Sequence, residues 1–211
     1  MIAYFVITHG SSSPRSVVWR QEVERCLQSL CPQVIVGGGC LEGQPETLQE
    51  QMLQFAAGVS SQTKIIAIPL FLLRGVHTQI DIPAQIPNDP QSMQLARRWL
   101  LTPLLGEHPG MVDLLARQFP PQGKRVLLCH GSKYPGATTI VSHLAHKLHA
   151  QLLTLADPLP PGAWVLPYFL EGSYALNKIP RDGITLLPSP FTPPVVAKLA
   201  QELAASIVQY S

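Results

Sequence analysis

Residues 5–11 read FVITHGS, and residues 126–132 read VLLCHGS. Each is a short apolar run that ends in His-Gly-Ser, with a proline and a helical pattern following within a few residues. That is the signature of a buried strand running into a small-residue turn and then a helix. A second pair follows in the same order. Residues 69–83 read PLFLLRGVHTQIDIP, and residues 167–180 read PYFLEGSYALNKIP. The first carries Gly75, His77 and Asp81; the second carries Gly172, Tyr174 and Lys178. Two matched blocks in one order point to a tandem duplication.

Working outward, short apolar runs alternate with stretches of helical periodicity. Strands are expected at Ile2–Thr8, Gln33–Val36, Lys64–Leu70, Arg97–Thr102, Arg125–Cys129, Leu152–Leu155, Trp164–Tyr168 and Ile184–Leu187. Helices are expected at Ser16–Leu30, Pro45–Gly58, His108–Phe119, Ala137–Ala150 and Pro193–Tyr210. Strand alternating with helix requires crossover connections, hence parallel sheets covered on both faces. The fold class is therefore α/β, with two similar halves, each a small parallel sheet flanked by helices. Phe119-Pro120-Pro121-Gln122-Gly123 cannot continue a helix and precedes a new strand, so the boundary is expected there, with halves 1–118 and 119–211.

The 211 residues are 46% hydrophobic, enough for a substantial core. Only 13% are charged, the formal net charge is +2, and there is no block of like charge. Nucleic acid and acidic membrane surfaces are thus poor partners, and a small ligand is expected. The apolar opening MIAYFVITHG lacks a preceding basic region and a cleavage pattern and is too short to span a membrane, so it reads as a strand. Cys26, Cys31, Cys40 and Cys129 form no C-x-x-C pair and read as buried small hydrophobes in a reducing compartment, the cytoplasm.

In parallel sheets, ligands sit beyond the carboxyl ends of the strands, where both repeated blocks fall. His9 and His77 follow strands and reach one edge. Neutral imidazoles there can hold a divalent metal or accept protons near neutral pH. A lone histidine is more often a satisfied structural group; a pair inside a repeated frame outranks that reading. Glu42, just past the second expected strand, approaches the same edge as a hard ligand or proton acceptor, with a solvated first-turn acid as the plainer alternative and Glu46 as the weaker competitor. Ser11, Ser12 and Arg15 at the first strand-to-helix turn, with Arg74, suit an anionic group such as carboxylate or phosphate, although N-capping explains the serines almost as well. His143, His146 and His149 read as a solvated helix face, and His108 has no assigned role.

THGSSSPR, CLEGQPETL, IPLFLLRGVHTQIDIP and LLGEHPGM together resemble the class II chelatases, specifically the sirohydrochlorin chelatases that insert cobalt or ferrous iron for cobalamin or sirohaem. The resemblance covers most of residues 1–118 and recurs more faintly over 124–211. It implies an α/β protein with a cleft between two similar halves. The expected activity is insertion of Co²⁺ or Fe²⁺ into sirohydrochlorin, with the divalent metal as substrate and no cofactor permanently bound. Carried over by motif, the catalytic and metal-handling histidines fall on His9 and His77 and the acidic partner on Glu42. In the second half only His130 survives, because Tyr174 replaces the other histidine and Asp157 aligns loosely. One working centre on the first half is expected, in a monomer of two fused halves or a homodimer.

Metal insertion removes two pyrrole protons and strips a divalent ion of water over one face of the ring. Neutral histidines suit both tasks when the ligand set is left incomplete. Asp81, one helical turn beyond His77, is placed to orient its ring, with a charge at a helix N-terminus as the plainer alternative. A carrier of tetrapyrrole or metal without insertion chemistry is the alternative. A phosphohydrolase using His9 as nucleophile is weaker, because Thr8 stands where histidine phosphatases have arginine, and a serine hydrolase is weaker still, because no G-x-S-x-G elbow is present.

Overall fold

In a computed structural model of the chain, residues 1–11, 14–87, 98–131, 134–170 and 173–208 are described, with the backbone alone at Tyr174. Strands β1 (Ile2–Gly10), β2 (Ile35–Glu42), β3 (Lys64–Pro69) and β4 (Trp99–Leu101) form one parallel sheet in the order β2-β1-β3-β4. Strands β5 (Arg125–Cys129), β6 (Gln151–Thr154), β7 (Trp164–Pro167) and β8 (Thr185–Leu186) form a second in the order β6-β5-β7-β8. All strand pairings among the described residues are parallel, and the second order repeats the first with each strand replaced by its counterpart. The two-half α/β architecture read from the paired blocks is therefore the architecture of the molecule.

Among the described residues the α-helices are α1 (Pro14–Leu30), α2 (Leu48–Ala57), α3 (Ile82–Gln85), α4 (Met111–Ala116), α5 (Thr139–Lys147) and α6 (Pro193–Val208). Alternation along β1 decides which layer each residue joins. Ala3, Phe5 and Ile7 pack with Leu48, Met52 and Ala56 of α2, Ile82 of α3 and Ile65, Ala67 and Trp99. The intervening Tyr4 and Val6 are buried on the opposite face, the side of α1, which buries Trp19, Val23 and Leu27 at helical spacing. In the second sheet Val126, Leu128, Val165 and Phe169 pack with Ala163, Ala175 and Ile179.

Compact packing divides the chain at other places than the expected 1–118 and 119–211. One unit comprises Met1–Phe71, Val76–Leu105 and Pro193–Ser211; the other comprises Leu72–Gly75 and Gly106–Thr192. The physical reason is the last helix, which packs against α1 and β3. An amphipathic helix buries its apolar stripe wherever a complementary face is open, irrespective of chain order.

β2 also departs from expectation, running to Glu42 rather than stopping near Val36. Gly37, Gly38 and Gly39 lie inside the strand, where neighbours occupy the space that larger side chains would need. A Cβ at Gly37 would meet the Phe55 ring at 2.6 Å, and one at Gly39 would meet the side-chain Oε1 of Gln51 at 2.7 Å. α2 begins at Leu48 rather than Pro45 because Thr47 and Glu50 form a reciprocal capping box. No helix among the described residues is long and apolar enough to cross a membrane.

Candidate functional site

The proposed chemistry gathers at the carboxyl ends of β1 and β2. Gly10 pairs with Glu42 in register, at a left-handed φ of 83°. A Cβ at Gly10 would collide with the Glu42 carbonyl oxygen, so only glycine lets the strands approach this closely. That approach sets His9 beside Glu42, with His9 Nδ1 3.9 Å from Glu42 Oε2.

His77 arrives from the other side of β1, on a short helical element after β3. His77–Asp81 form a π-turn, closed by the Ile82 N–H bonding back to the His77 carbonyl. Pro83 sits in the first turn of α3, where its missing N–H and its ring disfavour a tight bond to the carbonyl four residues earlier. The widened turn accommodates it, as π-bulges near functional sites do. Sequence reading named His77 and Asp81 but no helix here, because nine residues around a proline show too little periodicity.

His9 Nε2 and His77 Nε2 stand 3.1 Å apart, with the rings nearly perpendicular at 86°. The outer nitrogens have partners of their own. His77 Nδ1 lies 2.7 Å from Asp81 Oδ2, and a carboxylate there selects the tautomer in which Nδ1–H donates. His9 Nδ1 lies 3.0 Å from the Gly10 carbonyl, which likewise accepts from Nδ1–H. With both protons outward, two Nε2 lone pairs face one another, an arrangement that a cation or a shared proton between them relieves. The ligand atoms of His9, Glu42 and His77 all lie within 4.8 Å of one another, the one such three-residue cluster among the described residues. With a metal–nitrogen distance of about 2.1 Å, an ion bridging nitrogens 3.1 Å apart subtends about 95°, near the right angle between adjacent octahedral ligands. The three side chains are open to solvent, with 48% of His9, 38% of His77 and 56% of Glu42 exposed. An incoming ion can therefore shed water stepwise.

The other expected site residues fall less uniformly. Ser11 donates from its hydroxyl to Ser16 Oγ at 3.0 Å, and Arg15 is exposed in the first turn of α1. Ser12 and Gly172 lie outside the described residues. Arg74 belongs to the second unit, where its guanidinium is paired with Glu107 at 2.6 Å. Glu46 contributes its carbonyl, rather than its carboxylate, to a bond from Gln51.

In the second half, His130 is exposed and meets Phe169 edge to face at 4.7 Å. Cys129 pairs with Thr154 as Thr8 pairs with Cys40, so the register places Ala156 where Glu42 stands. Asp157 is one residue further on and is committed to Thr154, accepting from its Oγ1–H at 2.7 Å and its backbone N–H at 2.8 Å. Those bonds, the hydroxyl's first, hold its carboxyl below the usual range. Tyr174 opens the 3₁₀ turn that corresponds to the π-turn of His77. His143, His146 and His149 are exposed, and His108 is buried, its Nδ1 accepting from the Gly110 N–H at 3.0 Å.

The CbiX family model matches residues 3–121. A sirohydrochlorin cobaltochelatase of Methanococcoides burtonii is 34% identical over 92 residues, 43% of this chain and 68% of that protein. The sirohydrochlorin cobaltochelatase of Methanopyrus kandleri is 31% identical over 91 residues, 43% of this chain and 62% of its own length. Among solved structures, SirB from Bacillus subtilis with Fe³⁺ superposes with a TM-score of 0.75 at 17% identity, covering 97% of this chain and 94% of that one. SirB from Bacillus subtilis subspecies spizizenii in complex with cobalt gives 0.72 at 18%, covering 99% and 95%. The structural likeness establishes the fold over both halves, and the family match covers more than half of the sequence with His9, Glu42 and His77 inside it: the chain belongs to the CbiX family.

Proposed function

We propose that this protein is a metal chelatase that inserts Co²⁺ or Fe²⁺ into sirohydrochlorin, in cobalamin or sirohaem formation. The observation that carries the reading is the facing Nε2 pair of His9 and His77 at 3.1 Å, each ring held from behind by an acceptor. The relatives named sirohydrochlorin cobaltochelatase support the substrate. The divalent ion is a substrate, held by His9, His77 and Glu42 and released to the ring.

In this mechanism the two Nε2 atoms take the ion out of water with open positions left for the macrocycle nitrogens. Two pyrrole N–H protons leave as the dication enters, so the charge at the ring centre is unchanged. Glu42, exposed beside His9, is the first acceptor for those protons, and the imidazoles accept once the ion has left them. Asp81 keeps the His77 lone pair turned inward. Ser11, Ser12 and Arg15 are assigned to the carboxylate side chains of the substrate. Arg74, in the other unit and paired there with Glu107, is left out of that assignment. The four unpaired cysteines support a reducing compartment, the cytoplasm.

The test is absorbance-monitored metallation: purified protein, sirohydrochlorin and Co²⁺ or Fe²⁺, compared with the rate in buffer. Acceleration that depends on protein concentration is expected. A spectral shift on binding with no acceleration would establish a carrier instead.

A further inference from the structure

Glu42 ends β2, and β2 is the outer strand of its sheet. An edge strand presents backbone N–H and C=O groups with no strand to pair them. At Cys40, two residues before Glu42, a side chain takes that role. The Cys40 N–H donates to Gln51 Oε1 at 3.0 Å, and Gln51 Nε2–H donates to the Cys40 carbonyl at 3.0 Å. One amide thus reproduces both bonds of a neighbouring strand. The same Nε2 donates to the Glu46 carbonyl, also at 3.0 Å.

Residues 40 and 46 are the two ends of the segment that bears Glu42, and a single side chain holds both. Its own position is well determined. Leu48, Met52 and Ala56 are buried at one-turn intervals, which sets the rotation of α2 and turns Gln51 toward β2. The Thr47 capping box sets where the helix starts. Gly39 leaves the room, since a Cβ there would lie 2.7 Å from Gln51 Oε1. Gln28 makes a related contact at the other end of the strand, accepting from the Val36 N–H and donating to the Val34 carbonyl. That clamp is remote from Glu42 and is sufficient to protect the edge there. The clamp at Cys40 brackets a metal ligand.

We propose that Gln51 is a positioning residue for Glu42: by tying Cys40 to Glu46 it holds the Glu42 carboxylate within reach of the metal held by His9 and His77. The inference rests on the metal role given to Glu42 above and adds the residue that enforces it. Gln51 touches neither metal nor tetrapyrrole.

The experiment measures Co²⁺ affinity of the full chain without tetrapyrrole, by titration, and then KM for Co²⁺ and for sirohydrochlorin in metallation. Gln51→Leu keeps the volume and removes all three bonds. It should weaken Co²⁺ binding about tenfold, the equivalent of one to two net hydrogen bonds, while KM for sirohydrochlorin stays within about twofold. Glu42→Gln should weaken Co²⁺ binding, and adding Gln51→Leu to it should cause no further loss, because the clamp acts through Glu42. Losses that multiply in the double variant, or an unchanged Co²⁺ affinity in Gln51→Leu, overturn the proposal. Gln51→Glu, which keeps the acceptor for the Cys40 N–H and loses both donors, should fall between; it carries the test if Gln51→Leu does not fold. Unchanged Co²⁺ affinity in Glu42→Gln overturns the metal role of Glu42 and this inference with it. The expected Co²⁺ shifts without any acceleration of metallation overturn the chelatase reading alone and leave the clamp standing.

Discussion

Replacing Asp81 by alanine isolates the one bond that decides which nitrogen of His77 carries its proton. Asp81 Oδ2 stands 2.7 Å from His77 Nδ1, in the range of charge-assisted bonds. Without it the proton is free to occupy Nε2, which blocks the lone pair facing His9, and the ring gains rotational freedom. Loss of such an outer partner costs 10–100-fold in metal affinity in general. Here both side chains are more than a third exposed, so water replaces part of what is lost. The expected weakening is therefore at the low end, about tenfold or about 1.4 kcal/mol. Asp81→Asn retains a neutral acceptor and should lose about threefold. Co²⁺ titration, with far-UV circular dichroism to verify that the 77–85 helical segment persists, reads both. The decisive control is His77→Ala, in which Asp81→Ala should add nothing. A loss of less than twofold for Asp81→Ala, or an equal loss in the His77→Ala background, refutes the tautomer argument.

Other perturbations probe the rest of the structure. His9→Ala and His77→Ala should remove most metallation activity, whereas His130→Ala should leave the larger part, because the register puts Ala156 at the position of Glu42 and Asp157 is bound to Thr154; initial rates that fall equally in all three sink the single-centre reading. Gly10→Ala should destabilise the fold by about 2 kcal/mol or more and displace Glu42, because it adds a Cβ at positive φ against the Glu42 carbonyl; denaturant unfolding and Co²⁺ titration read the two effects. Burial, with the Asp157 charge adding to it, pushes the Cys129 thiol from 9.0 up to about 11. The folded state then keeps a proton that the unfolded state releases, so this contribution to stability is whole below about pH 9 and is lost as the pH rises toward 11, about 3 kcal/mol in all. Urea unfolding across that window should show a steeper decline for the native chain than for Cys129→Ala, and identical slopes would refute it.

Strand alternation and the His-Gly-Ser repeat are local patterns, and they were legible without coordinates. Among the described residues, seven of the eight strands lie within a few residues of where the apolar runs put them, β2 running six residues further than expected, and both sheets share one strand order. His9, Glu42 and His77 were legible as candidates because strand ends in a parallel sheet share an edge, and the structure brings their ligand atoms together. Other features depend on neighbours distant in sequence. β2 carries glycine at 37, 38 and 39 because Phe55, Glu24 with Val6, and Gln51 respectively fill the space a side chain would need, and no window along β2 contains those neighbours. The last helix joins the first unit because its apolar stripe fits α1, a choice between faces that periodicity alone does not make.

The amino-acid sequence by itself determined the fold class and the residue types at the ligand edge, which follow from short patterns within one segment, and the two-half repeat, which follows from matching such patterns between segments. Only the tertiary structure decided that two imidazoles, 68 residues apart, meet nitrogen to nitrogen at 3.1 Å with their outer nitrogens occupied by Asp81 and Gly10. That arrangement exists only once strand register, a glycine at positive φ and a proline-widened turn act together, and facing lone pairs are a property of the distance between segments rather than of either segment.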